Sequence, residues 1–125
     1  MPAVTTVQIF GFNDCQETRK ARRFFSERRL KIHYVDLEQR PAAKGELRRF
    51  QEKFGAAALI DRESRRFRDL GLHVRGDSPE RMVDRALMEP RILKTPLVRA
   101  GNRVSIGHVP AEWQRWLEEA RADPS

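Results

Sequence analysis

The sequence predicts an α/β fold with a mixed sheet, ordered β-α-β, then a helical middle, then β-β-α. Three observations carry this expectation. Two short β-type runs flank one amphipathic segment near the N-terminus. The middle of the chain places its apolar residues at helical spacing between prolines and glycines. Finally, two β-type runs face each other across a glycine-containing connection, followed by a last amphipathic helix.

Val7-Gln8-Ile9-Phe10 is the first strand, ending at Gly11. From about Thr18 to Arg29, Ala21, Phe24 and Phe25 share one face and basic residues cover the other, which predicts a helix. Ile32 to Leu37 alternates with a period near two and reads as the second strand, so a crossover helix joins two parallel strands. Pro41 breaks the pattern. Leu47, Phe50 and Phe54 then mark a helix over Gly45–Phe54, closed by Gly55.

Ala56–Ile60 is a short apolar piece, and Phe67-Arg68-Asp69-Leu70-Gly71 reads as one helical turn stopped by its glycine. Asp77-Ser78-Pro79-Glu80 offers an N-cap, a first-turn proline and an early acid, predicting a helix over Pro79–Met88 that Pro90 ends. Leu97-Val98-Arg99 and Arg103–Ile106, joined through Ala100-Gly101-Asn102, predict a hairpin. Pro110 opens a last helix with Trp113, Trp116, Leu117 and Ala120 on one face, and the tail Asp123-Pro124-Ser125 is expected to fray. The whole chain, 1–125, reads as one domain with a helical insertion over about 41–90.

Composition narrows the function. The chain has 125 residues, 34% of them charged, and no apolar run near the roughly 20 residues a membrane span needs. Met1-Pro2-Ala3-Val4-Thr5-Thr6 has no apolar core of a signal peptide, so a soluble, cytoplasmic protein without membrane partners is expected. The net charge of +7 is spread through Arg-rich pairs interleaved with acids and carries no nucleic-acid-binding motif. Non-specific attraction to polyanions fits that pattern, and specific recognition of nucleic acid is not expected. One cysteine excludes an internal disulfide and a cysteine-built zinc site, and the three histidines lack ligand spacing, so no metal is expected.

Cys15 lies between the first strand and the first helix, where backbone N–H groups and the helix dipole favour an anion. Arg19 and Lys20, one turn on, add positive charge, while Asp14 and Glu17 oppose it. A free cysteine is commonly a small buried hydrophobe, but the polar neighbours Asn13, Asp14, Gln16 and Glu17 take Cys15 out of any apolar run. The second constellation is Lys94-Thr95-Pro96, just before the hairpin. Spacing leaves the Thr95–Pro96 bond open between cis and trans.

The segment Phe10-Gly11-Phe12-Asn13-Asp14-Cys15-Gln16-Glu17-Thr18-Arg19-Lys20-Ala21-Arg22 resembles the strand–loop–helix cysteine motif of the arsenate-reductase-like ArsC/Spx family. Leu93–Arg103 with Ile106-Gly107 resembles that family's second signature, and Phe67–Leu72 its middle segment. The resemblance implies a thioredoxin-like mixed sheet with the helical insertion, Cys15 at the active-site position, and Pro96 as a cis-proline opposite it. It also implies oxyanion attack by the cysteine with arginine neutralisation, completed by glutathione and a glutaredoxin-type reductant. Cys15 with Arg19 keeps the family's Cys-x-x-x-Arg spacing.

The chain departs from that pattern at informative places. Gly11 and Phe12 stand where arsenate reductases carry a histidine–asparagine pair, Thr95 stands where they carry an arginine, and their arginine near Gly107 has no counterpart. Thr18 replaces the second cysteine of the Spx-type switch. The expected activity is therefore a monothiol oxidoreductase, with Cys15 as a thiolate forming mixed disulfides with glutathione or a similar low-molecular-weight thiol. Thr18, Arg19, Lys20, Lys94, Thr95 and Pro96 are the expected thiol-binding residues, with no bound cofactor. The alternatives are a non-enzymatic Spx-like module that binds an acidic protein partner through its basic helix, and an arsenate reductase with a divergent oxyanion site.

Overall fold

A computed structural model describes residues 6–122, with side chains through Glu119. The expectations for Met1–Thr5, for the Ala120 side chain and for the tail from Asp123 lie outside those residues. By contact density the chain divides into two compact units, Met1–Asp36 with Thr95–Ser125, and Leu37–Lys94.

The first unit contains a four-stranded sheet in the order β2-β1-β3-β4. Strand β1 (Thr6–Gly11) leads through α1 (Gln16–Glu27) to β2 (Lys31–Asp36), and the two strands pair in parallel. Strands β3 (Leu97–Ala100) and β4 (Arg103–Ile106) form the antiparallel hairpin, and α5 (Pro110–Ala122) follows. The sheet is the mixed one the sequence predicts. What periodicity did not reveal is that β3 pairs antiparallel with β1, which places β1 inside the sheet. Gly101 takes φ 63° in the hairpin turn, a left-handed conformation that glycine adopts without a Cβ penalty.

Register explains the core. Ile9 sits opposite both Tyr34 and Val98, and Val7 opposite Ile32, so one sheet face is apolar across three strands. Ala21 and Phe25, spaced one helical turn apart on α1, pack there with Trp113 and Trp116 of α5. Phe24, Phe25 and Trp113 form an aromatic cluster with ring centroids 5.0–5.2 Å apart. Edge-on and tilted contacts of this kind add to plain area burial. The Trp113 indole is fully buried and still needs a hydrogen-bond acceptor; Ser105 Oγ supplies it at 2.8 Å.

The second unit is the helical middle: α2 (Lys44–Phe54), α3 (Arg65–Asp69) and α4 (Pro79–Ala86), with 3-10 turns at Ala56–Leu59, Leu72–Val74 and Pro90–Ile92. Both α2 and α4 pack on the Ala56–Leu59 turn. Ser64 Oγ caps α3 and Ser78 Oγ caps α4 by accepting the N–H three residues on, at 3.1 and 3.2 Å. Pro79 occupies the first turn of α4, where its missing N–H costs nothing. The apolar piece before Ile60 ends in an antiparallel bridge, Ile60 with Leu93, flanked by Asp61 N–H to Ile92 O and Lys94 N–H to Leu59 O, each 2.8 Å. That bridge has no sequence signature, because a single residue pair carries no periodicity.

Candidate thiol site

Two pairings of β1 place the groups around Cys15: the parallel one with β2, and the antiparallel one with β3, which follows Thr95 and Pro96. Parallel strands end on the same edge of a sheet, so the loop after Gly11 lies beside the end of β2, and α1 starts from that edge. Gly11 is required there by close approach. A Cβ at this position would stand 2.4 Å from Thr18 Oγ1, so only glycine lets β1 and the first turn of α1 meet.

Cys15 is the N-cap residue of α1, with extended φ and ψ. Its N–H donates to Phe12 O at 3.0 Å, and its carbonyl accepts from Arg19 N–H at 3.1 Å, so the loop is closed on both sides of the cysteine. The residue is partly exposed. Thr95 Oγ1 donates to Sγ at 3.3 Å, while Sγ approaches Thr95 O at 3.9 Å and Glu17 Oε1 at 3.8 Å. A thiol proton therefore has two acceptors, and a thiolate has a hydroxyl donor. The Thr95–Pro96 bond is cis, and Pro96 O accepts from Gly107 N–H at 2.8 Å, which ties the segment to the end of the hairpin.

A polar cluster that sequence reasoning missed holds the loop. Tyr34 OH donates to Asn13 Oδ1 at 2.8 Å, Asn13 Nδ2 donates to Asp36 Oδ2 at 3.3 Å, and Arg19 Nη1 donates to Asn13 O at 2.9 Å. The Arg22 guanidinium lies 4.0 Å from the Tyr34 ring centroid, a cation–π geometry, and its Nη1 is 3.5 Å from Asn13 Oδ1. Burial, and next the Asp36 carboxylate, push the Tyr34 phenol above its ordinary value; Arg22 works the other way. The available signal was the strand register. Tyr34 and Asp36 sit two apart at the end of β2, on the edge where the cysteine loop leaves β1.

The expected site residues separate accordingly. Cys15 and Thr95 come together, with Pro96 next to Thr95. Arg19 is exposed and bonded to the Asn13 carbonyl, and Lys20 is exposed with no hydrogen-bond or ion-pair partner among the described residues. Thr18, expected at the thiol site, is fully buried behind Gly11, and its hydroxyl has no hydrogen-bond partner. Lys94 belongs to the second unit, where its side chain is exposed and its N–H donates to Leu59 O beside the Ile60–Leu93 bridge.

A mixed sheet in the order β2-β1-β3-β4 with the cysteine at the β1–α1 junction is the thioredoxin-like fold. The comparisons agree. The ArsC family profile matches residues 10–116, and the chain belongs to that family. A curated relative, the global transcriptional regulator Spx 2 of Oceanobacillus iheyensis, is 26% identical over 105 residues, covering 82% of this chain and 77% of its own. Among solved structures, the YFFB protein superposes with a TM-score of 0.80 at 21% identity, covering 89% of this chain and 98% of that one. An arsenate reductase from Vibrio cholerae gives a TM-score of 0.77 at 15% identity, over 91% and 99% of the two chains. No described helix is long and apolar enough to cross a membrane.

Proposed function

We propose that this protein is a monothiol oxidoreductase of the ArsC family, in which Cys15 exchanges with low-molecular-weight disulfides. The observation that carries the reading is Cys15 at the N-cap position of α1 with the Thr95 hydroxyl donating to its sulfur at 3.3 Å. After loss of the thiol proton to solvent, the Cys15 thiolate attacks one sulfur of R–S–S–R. The new Cys15–S–S–R bond forms, the old S–S bond breaks, and R–S⁻ leaves with the electron pair. A second external thiolate attacks the R sulfur of this mixed disulfide and releases Cys15, because the chain has no second cysteine to do so.

Arsenate as the substrate fits less well. The site offers Sγ one hydroxyl donor and a nearby carboxylate, while Arg19 and Arg22 both bond to Asn13. An oxyanion is stabilised by several donors converging on it. Incubation with dithiodiethanol, a neutral disulfide, tests the reading by intact mass. One adduct on the wild type, removed by added thiol and lost in Cys15→Ser, is expected; a wild type that stays unmodified overturns it.

The likeness to Spx 2 favours a second reading, a regulator that acts by binding another protein. The basic residues of α1 and the turn after it, Arg22, Arg23, Arg28 and Arg29, suit an acidic partner. In that case Cys15→Ser retains partner binding at physiological salt while losing exchange.

A further inference from the structure

We propose that Glu17 is the specificity-determining residue of the thiol site, turning Cys15 away from anionic disulfides and toward cationic and neutral ones. This rests on the exchange reaction proposed above and names its substrate class.

The carboxylate is the nearest charged group that bonds to the sulfur, with Oε1 at 3.8 Å from Sγ. Any disulfide that reacts must bring one of its sulfurs into bonding distance of Sγ. Charges borne two or three bonds from that sulfur then lie well inside the Debye length of about 8 Å at physiological ionic strength, where they interact with Glu17. Asp14, exposed in the same loop, has the same sign.

The cations of this segment are directed elsewhere. Arg19 bonds the Asn13 backbone carbonyl, and Arg22 stacks on Tyr34 and reaches Asn13 Oδ1. Lys20, exposed on α1, is the remaining positive charge between residues 13 and 22 and makes no hydrogen bond or ion pair among the described residues. Thr95, the other side chain bonded to Sγ, is neutral. The charged side chain that bonds to Sγ among the described residues is therefore negative, although the chain as a whole carries +7. Attack is the same balanced exchange for every disulfide: one S–S bond forms, one breaks, and the departing thiolate takes the electron pair.

The test uses the full chain and three small disulfides at neutral pH: cystamine, dithiodiethanol and dithiodipropionate. Rates of adduct formation are each divided by the rate for free mercaptoethanol. Ratios between disulfides cancel everything common to the sulfur, including its thiolate fraction and intrinsic nucleophilicity. The expected order is cationic over neutral over anionic, with about fivefold per unit of charge at low salt, the Coulomb factor for unit charges about 4 Å apart in water.

High salt compresses the series, Glu17→Gln flattens it, and Glu17→Lys inverts it. Glu17 is exposed on the first turn, so both variants should keep the fold. If wild type and Glu17→Gln give the same ratios while both react, the role of Glu17 is overturned and the exchange reaction stands. If no disulfide modifies the wild type, the exchange reaction itself fails.

Discussion

The two compact units are built by different means. The sheet unit rests on one apolar face, where Phe25, Trp113 and Trp116 pack on Val7, Ile9, Val98 and Ala100. The helical unit has buried residues of its own, Phe50, Phe67 and Met82 among them, but its short elements depend visibly on end effects and surface charge. Serines cap α3 and α4, Arg40 makes a two-pronged pair with Glu46 at the start of α2, and Arg66 does the same with Glu89. The difference teaches where precision is invested. The cysteine loop is held against α1 through Gly11 and Thr18, whereas the insertion adds serine caps and paired arginines to buried side chains drawn from several short elements.

The sharpest way to break that contrast is Trp113→Ala. It removes a fully buried side chain and leaves Ser105 without its donor, so a loss of about 3–5 kcal/mol in denaturant unfolding is expected. Ser78→Ala, which deletes the α4 cap in the other unit, should cost about 1 kcal/mol in the same measurement. Equal losses from the two substitutions would contradict the comparison.

Tyr34→Phe gives the smallest effect and sharpens the account of the loop. It removes a partly exposed hydrogen bond to Asn13, costing about 0.5–1 kcal/mol at neutral pH. The fold raises the Tyr34 phenol, so the neutral form is preferred in the folded state. Its contribution is complete below the unfolded value, near 10, and is lost as pH rises through the folded value. Wild type should therefore lose stability on alkaline titration more steeply than Tyr34→Phe; parallel curves would show that the phenol does not titrate in this way.

Much of the sheet unit was legible in the sequence because its signals are periodic. Val7–Phe10 is a short β-type run, Ile32–Leu37 alternates, and Ala21, Phe24 and Phe25 mark a helix face; the elements found there differ from these readings by one or two residues at their ends. The pairing of β3 with β1 was not legible, since alternation says which residues face inward and nothing about which strand lies beside which. Helix α4 ends at Ala86, two residues before the expected Met88, because its end tightens to bonds three residues back, Leu87 N–H to Asp84 O and Met88 N–H to Arg85 O, ahead of Pro90.

At the site, Cys15 and Thr95 were singled out from motif and position, but Asn13, Tyr34 and Asp36 were not. Their link is a tertiary contact between the end of one strand and the loop after another. Thr18 is a different case. Its sequence position suggests a thiol contact, yet helical geometry turns it into the core behind Gly11.

The central proposal is exchange of Cys15 with small disulfides, favoured by the Thr95 hydroxyl that the fold brings to its sulfur. It is tested most directly by the rate constant for dithiodiethanol with the folded protein at neutral pH, set against the same reaction of a peptide spanning residues 10–22. The account predicts a faster reaction in the folded protein, slowed by Thr95→Ala and absent in Cys15→Ser. A folded protein that reacts no faster than the peptide would contradict it.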